Sequence, residues 1–202
     1  MRENRTYGSV RGNRQAIHVN KYTERSVEVV YSTDNLMKKQ IYLAGGCFWG
    51  TEAYFSRLNG VIDTLCGYAN GKTANPTYEE VCLGNTGHAE TVLVEYNSLI
   101  ITIEKLLTEF FRTIDPTTKN RQGNDIGIQY RSGIYFVDEA DAPIIQSYVL
   151  NMQIQYSKPI ITEVLPLLNF YPAEEYHQHY LDKNPNGYCH VNLDLIHEED
   201  KK

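Results

Sequence analysis

The hydrophobic period changes several times along the chain, and each change marks an element. Ile41-Tyr42-Leu43-Ala44 is a continuous apolar run closed by Gly45 and Gly46, the pattern of a buried strand that ends in a tight turn. Thr51 to Leu58 then reads as a helix, Val61 to Tyr68 as a second strand and Ala69 to Lys72 as a turn. Thr77 to Cys82 predicts one or two helical turns, and Thr91 to Tyr96 a third strand. Ile103, Leu106, Leu107, Phe110, Phe111 and Ile114 recur at the i, i+3, i+4, i+7 spacing of an amphipathic helix, the plainest periodicity in the chain. Tyr130 to Val137 gives a fourth strand. Asp141 can cap a helix from Ala142 to Tyr156, with Pro143 tolerated in its first turn, and Ile160 to Leu165 can add one more strand. This order predicts an α+β fold: a ferredoxin-like split βαβ sandwich with helices on a mainly antiparallel sheet, plus extended N- and C-terminal segments.

Residues 1–36 carry Arg2, Arg5, Arg11, Arg14 and Arg25 without a sustained period, which predicts a poorly ordered N-terminal extension. Glu3, Glu24 and Glu28 argue against an Arg-rich targeting peptide. Met37-Lys38-Lys39-Gln40 looks like the start of a domain running over residues 37–202. At 42% hydrophobic and 22% charged, the 202 residues can bury one core. A net charge of −6 argues against nucleic-acid partners. No stretch is apolar for the roughly 20 residues that span a bilayer, so no membrane role and a cytoplasmic location are expected.

The four cysteines Cys47, Cys66, Cys82 and Cys189 form no CxxC pair and are too scattered for a disulfide scaffold. Cys47 sits where the first strand should turn into a helix. Helix N-termini can bring a thiol pKa down to roughly 3.5 to 7.5, and Phe48 and Trp49, the only tryptophan, could wall a site there. A small buried packing thiol is the alternative. Strand alternation puts Glu90 on the same face as Val92, Val94 and Tyr96; if that face is covered, desolvation raises its pKa and makes it a proton donor. Otherwise it is an exposed charge at a strand end. Asn124 to Ser132 is a polar, glycine-bearing loop of the kind that binds ligands, and Tyr78 and Tyr130 are phenols able to donate to a substrate oxygen. His177 and His179 lie two apart, a spacing unsuited to one helix face and so to metal, and no metal is expected. Cys189 lies in the turn-rich segment that begins Asn184-Pro185-Asn186-Gly187, where a mobile thiol could reach a sulfenic acid elsewhere; Cys66 and Cys82 look like packing residues inside elements. On these grounds redox chemistry, acyl transfer or hydrolysis with His88 or His177 as base, and a non-catalytic redox switch all stay open.

GGCFWG (45–50), GYANG (67–71), TYEEV (77–81), GNTGHAE (84–90), GNDIGIQYRS (123–132) and KNPNGYC (183–189) together resemble the A-type peptide methionine sulfoxide reductases, over roughly residues 39 to 190. The resemblance implies that the Cys47 thiolate attacks the sulfoxide sulfur while Glu90 protonates its oxygen, leaving sulfenic acid on Cys47. It further implies that Tyr78 and Tyr130 hydrogen-bond that oxygen, Phe48 and Trp49 hold the S-methyl group, and Asp125 orients the substrate. Cys189 matches the resolving position, giving a Cys47–Cys189 disulfide that thioredoxin, or dithiothreitol in vitro, reduces. The implied substrate is methionine-S-sulfoxide, free or in oxidised proteins, with no bound cofactor. The chain is expected to act as a monomer. Many relatives carry a further tail with a second recycling cysteine or a fused B-type domain; here the chain ends at Lys202, so one resolving thiol is expected.

Overall fold

The computed structural model describes residues 37–202; the expected N-terminal extension lies outside the described residues. Strands β1 (Lys38–Gly45), β2 (Val61–Ala69), β3 (Ala89–Asn97), β6 (Ser132–Phe136), β7 (Glu163–Pro166) and β8 (Phe170–Pro172) form one sheet in the order β7-β6-β1-β3-β2-β8. All neighbours are antiparallel except β6 and β7. The α+β expectation holds, with a mixed sheet of six strands. Helices α1 (Phe48–Phe55), α2 (Tyr78–Cys82), α3 (Ile103–Thr113), α4 (Ala142–Met152) and α5 (Tyr180–Lys183) complete the regular structure, with a two-stranded ribbon of β4 (Arg121–Gln122) and β5 (Asp125–Ile126). None of these helices is long and apolar enough to cross a membrane.

The two faces of the sheet explain the sequence pattern. Ile41, Leu43, Cys66, Tyr68, Val92, Val94 and Tyr96 pack with Phe48, Phe55, Leu106, Phe110 and Phe111 from α1 and α3 in the main core. Tyr42, Ala44, Ala69, Ala89 and Tyr135 point the other way and are covered by Leu93, Leu167 and Phe170. A central strand covered on both faces needs no polar alternation, so β1 reads as a solid apolar run. Helix α3 buries the apolar stripe its spacing predicts, and its Glu109, also buried, is held by the Tyr54 hydroxyl of α1 at 2.5 Å and by Lys105 and Arg112.

Several boundaries differ from the sequence reading. Helix α1 starts at Phe48 instead of Thr51, because Gly46 (φ +87°) already turns the chain and Cys47 occupies the N-cap. A side chain at Gly46 would also collide with Gln122, its Cβ only 2.6 Å from that residue's Cβ. Cys82 is exposed, not packed: α2 is a five-residue helix in which only Val81 is buried, so its last residue faces solvent. Helix α4 ends at Met152, with a 3₁₀ turn over Gln153–Gln155 where a longer helix was expected. The short β8 and the β4–β5 ribbon had no period of their own to reveal them.

Candidate active site

The turn from β1 into α1 places Cys47 at the N-cap, buried at 8% exposure. The next backbone N–H, that of Phe48, donates to Oε2 of Glu90 at 3.1 Å. Glu90 comes from the start of β3, on the face of Val92 and Val94 as strand alternation predicts, and that face is covered: the residue is 1% exposed. Its other oxygen has no hydrogen-bond partner among the described residues. Burial raises the Glu90 carboxyl to about 8, against the pull of the Phe48 amide. At neutral pH the carboxyl is therefore largely protonated, with Oε1 free to present the proton.

Cys47 departs from expectation. Burial first, then the charge of Glu90, push its thiol well up, and the Trp49 amide at the helix end lowers it only in part. Desolvation outweighs the helix terminus here, because the N-cap lies inside the protein and not at its surface. The resting site is consequently a neutral thiol beside a neutral acid.

Aromatic residues surround this pair. Phe48 is buried against the rings of Tyr68, 5.9 Å away, and His177, 5.0 Å away. Trp49 is half-buried, stacked on Tyr180 at 3.7 Å, and its indole N–H donates to Nδ1 of His177 at 3.0 Å. His177, buried at 1% exposure, also touches the rings of Tyr78 and Tyr176. The indole bond fixes its tautomer, leaving the proton on Nε2. Tyr78 opens α2, which a capping box holds: Thr77 accepts from the Glu80 amide and Glu80 accepts from the Thr77 amide. The Tyr78 amide donates to Glu174, which also accepts the Tyr68 hydroxyl at 2.7 Å. Tyr130 ends a 3₁₀ turn over Ile128–Tyr130 that follows the β4–β5 ribbon. Burial pushes the phenols of Tyr78 and Tyr130 up, so both remain donors.

The C-terminal arm crosses the same turn. Cys189 is half-buried, its thiol donates to the Val191 carbonyl at 3.0 Å, and a Cβ on Gly50 would sit 3.1 Å from its sulfur. The second thiol thus lies along the first turn of the helix that Cys47 caps. Tyr188 donates to Asp125 at 3.0 Å, and His190 Nε2 pairs with the Gly45 carbonyl at 2.8 Å. All four cysteines are free thiols.

The structure therefore brings Cys47, Phe48, Trp49, Tyr78, Glu90, Asp125, Tyr130 and Cys189 to one end of the sheet. It does not bring either histidine to Cys47 as a base: His88 bonds the Thr73 carbonyl beside Gly71, and His177 already accepts from Trp49. His179 is half-exposed and faces Glu52, its Nδ1 3.8 Å from that residue's Oε1. Sequence reasoning singled out His177 but not its place against Trp49, and it missed Tyr180, Glu174 and Tyr188, since Glu174 to Tyr180 has no period and its buried histidine resembled its exposed neighbour. Only the density of aromatic and ionisable residues there marked it.

An α+β domain with a buried thiol facing a proton-bearing carboxyl, and a second thiol one helical turn along, has the parts of a thiol-based oxidoreductase. The family model for peptide methionine sulfoxide reductase matches residues 39–202. A peptide methionine sulfoxide reductase MsrA from Lachnoclostridium phytofermentans is 60% identical over 155 residues, covering 77% of this chain and 93% of that one. The crystal structure of Saccharomyces cerevisiae Mxr1 in reduced form superposes with a TM-score of 0.74 at 44% identity, covering 78% of this chain and 93% of that one. Mxr1 in complex with Trx2 matches with a TM-score of 0.53 at 32% identity, covering 73% and 87%. The chain belongs to the peptide methionine sulfoxide reductase family, oxidoreductases that reduce methionine sulfoxide.

Proposed function

We propose that this protein reduces methionine-S-sulfoxide, free or in oxidised proteins, through Cys47, Glu90 and Cys189. The observation that carries the reading is Glu90, whose carboxyl, raised to about 8, hangs from the amide next to Cys47 with one oxygen unengaged among the described residues. The Cys47 sulfur bonds to the sulfoxide sulfur; as the oxygen moves to the Cys47 sulfur, the substrate's sulfur–oxygen bond and the transient sulfur–sulfur bond both break, leaving a sulfenic acid on Cys47 and a free thioether. Glu90 gives its proton to that oxygen and is recharged by the thiol proton. The net change, thiol plus sulfoxide to sulfenic acid plus thioether, needs no outside proton, which suits a site that rests neutral. Tyr78 and Tyr130 donate to the oxygen, Phe48 and Trp49 enclose the S-methyl group, and Asp125 orients the substrate.

Cys189 then closes a Cys47–Cys189 disulfide with loss of water, and its place beside Gly50 supports that role. Thioredoxin returns the disulfide to the dithiol; the Mxr1 complex with Trx2 supports this partner. No bound cofactor enters the cycle. The test is turnover of the separate epimers of a blocked methionine sulfoxide with dithiothreitol as reductant. Consumption of the S epimer alone by the wild type, and of neither by Cys47→Ser, is expected; full activity in Cys47→Ser ends the reading. Non-reducing peptide mapping after one turnover checks the partner thiol, and a link from Cys47 to Cys66 or Cys82 removes Cys189 from the cycle.

A further inference from the structure

Helix α1 carries a buried carboxylate that the chemistry above does not use. Glu52 is 1% exposed; its Oε2 accepts the backbone N–H of His179 at 2.7 Å. Its Oε1 lies 3.8 Å from Nδ1 of His179 and has no hydrogen-bond partner among the described residues. Fully buried carboxylates are rare without a partner that requires them. The partner is itself unusual: His179 has φ +49°, the left-handed region that a residue with a side chain keeps only when its surroundings hold it there, and α5 starts from it. Burial lifts the Glu52 carboxyl, while His179 draws it back.

The residue before it is clamped as well. The Gln178 carboxamide accepts the Cys66 amide at 2.8 Å and donates to the Cys66 carbonyl at 3.0 Å, pairing with β2 as a short strand would. Beyond the clamp, Tyr180 stacks on Trp49 and Asp182 accepts from Arg57 at 3.2 Å. The chain then leads to Cys189.

We propose that Glu52 is a positioning residue for the resolving step: holding the His179 amide from within α1, it fixes where the arm bearing Cys189 leaves the body of the protein. This rests on the reading of Cys189 given above. In the step it serves, the Cys189 sulfur attacks the sulfur of the Cys47 sulfenic acid. The sulfur–sulfur bond forms, the sulfur–oxygen bond breaks, and the hydroxyl leaves with the Cys189 proton as water.

The test measures methionine release and disulfide formation separately in a single turnover without reductant. Glu52→Leu should release methionine within about threefold of the wild-type rate but form the disulfide at least about tenfold more slowly, since misplacement by about 1 Å is costly to a reaction between held groups. Glu52→Gln, which keeps an acceptor for the His179 amide, should form it within about threefold of wild type. A folded Glu52→Leu with unchanged disulfide formation, or with both steps slowed alike, overturns the proposal. If Glu52→Leu does not fold, Glu52→Asp decides, because its carboxylate is withdrawn by one methylene; resolution at the wild-type rate overturns the proposal. Cys189→Ser separates the two readings. If it still closes an intramolecular disulfide at the wild-type rate, the assignment of Cys189 falls. If it stops at sulfenic acid while Glu52→Leu resolves normally, only the role of Glu52 falls.

Discussion

At the scale of single residues, the decisive competition is between desolvation and the helix terminus. At Cys47 desolvation wins, and at Glu90 it produces an acid at about 8. A folded-state value above the ordinary 4.5 means the folded protein binds more protons than the unfolded chain between these limits. Glu90 therefore subtracts stability as pH rises from about 4.5 through about 8. Glu90→Gln should thus gain stability at pH 9 by a few kcal/mol, since each pH unit between those limits is worth on the order of 1.4 kcal/mol, and gain little at pH 4. Urea melts at the two pH values check this. The same variant should lose methionine formation by about a hundredfold or more, and the wild-type oxygen-transfer rate should fall above about pH 8 as the donor form disappears. Single-turnover pH profiles read that directly. The face occupied by Glu90 was legible from strand alternation alone. The direction in which the Cys47 thiol moves was not, because local sequence shows that a thiol caps a helix but not how deep the helix end lies.

At the scale of elements, α1 does the positioning and α2 presents Tyr78. Thr77→Ala removes the cap bond to the Glu80 amide and half of the capping box; it should cost about 1 kcal/mol of stability. Its effect on KM should exceed its effect on melting, since Tyr78 is the first residue of that helix. Gly50 is small for a reason outside its own helix: a Cβ there would lie 3.0 Å from Val191 and 3.1 Å from the Cys189 sulfur. Gly50→Ala should leave the thermal midpoint within a few degrees and slow disulfide formation by about tenfold, measured as loss of the second thiol. Helix α3 was readable nearly to the residue, because a long amphipathic period has one interpretation. Helix α1 was misplaced by a turn, since Phe48 and Trp49 are indifferent helix formers and only the geometry at Gly46 reveals where the helix starts.

At the scale of the whole molecule, the arm is tied on both sides of Cys189. Upstream lie the bonds of Gln178 and His179; downstream, Asn59 donates to the Asp200 carbonyl at 2.8 Å, Lys105 pairs with Asp200 at 2.7 Å, and Leu58 bridges Lys201. Removing residues 197–202 should lower the melting temperature by several degrees, as about 1 to 2 kcal/mol is lost. It should also slow disulfide formation more than methionine release, which calorimetry and thiol counting together check. None of these ties was visible in the sequence, where Glu198 to Lys202 is only a charged end; long-range pairing leaves no local period. The order of the sheet has one more consequence. Its outermost strands, β7 with four residues and β8 with three, each stop at a proline, Pro166 and Pro172. A short edge that ends in a residue without an N–H is a poor template for another chain. The longer β-strands, which could recruit unfolding neighbours into a shared ladder, are kept inside the sheet, so its edges offer such neighbours little to aggregate on.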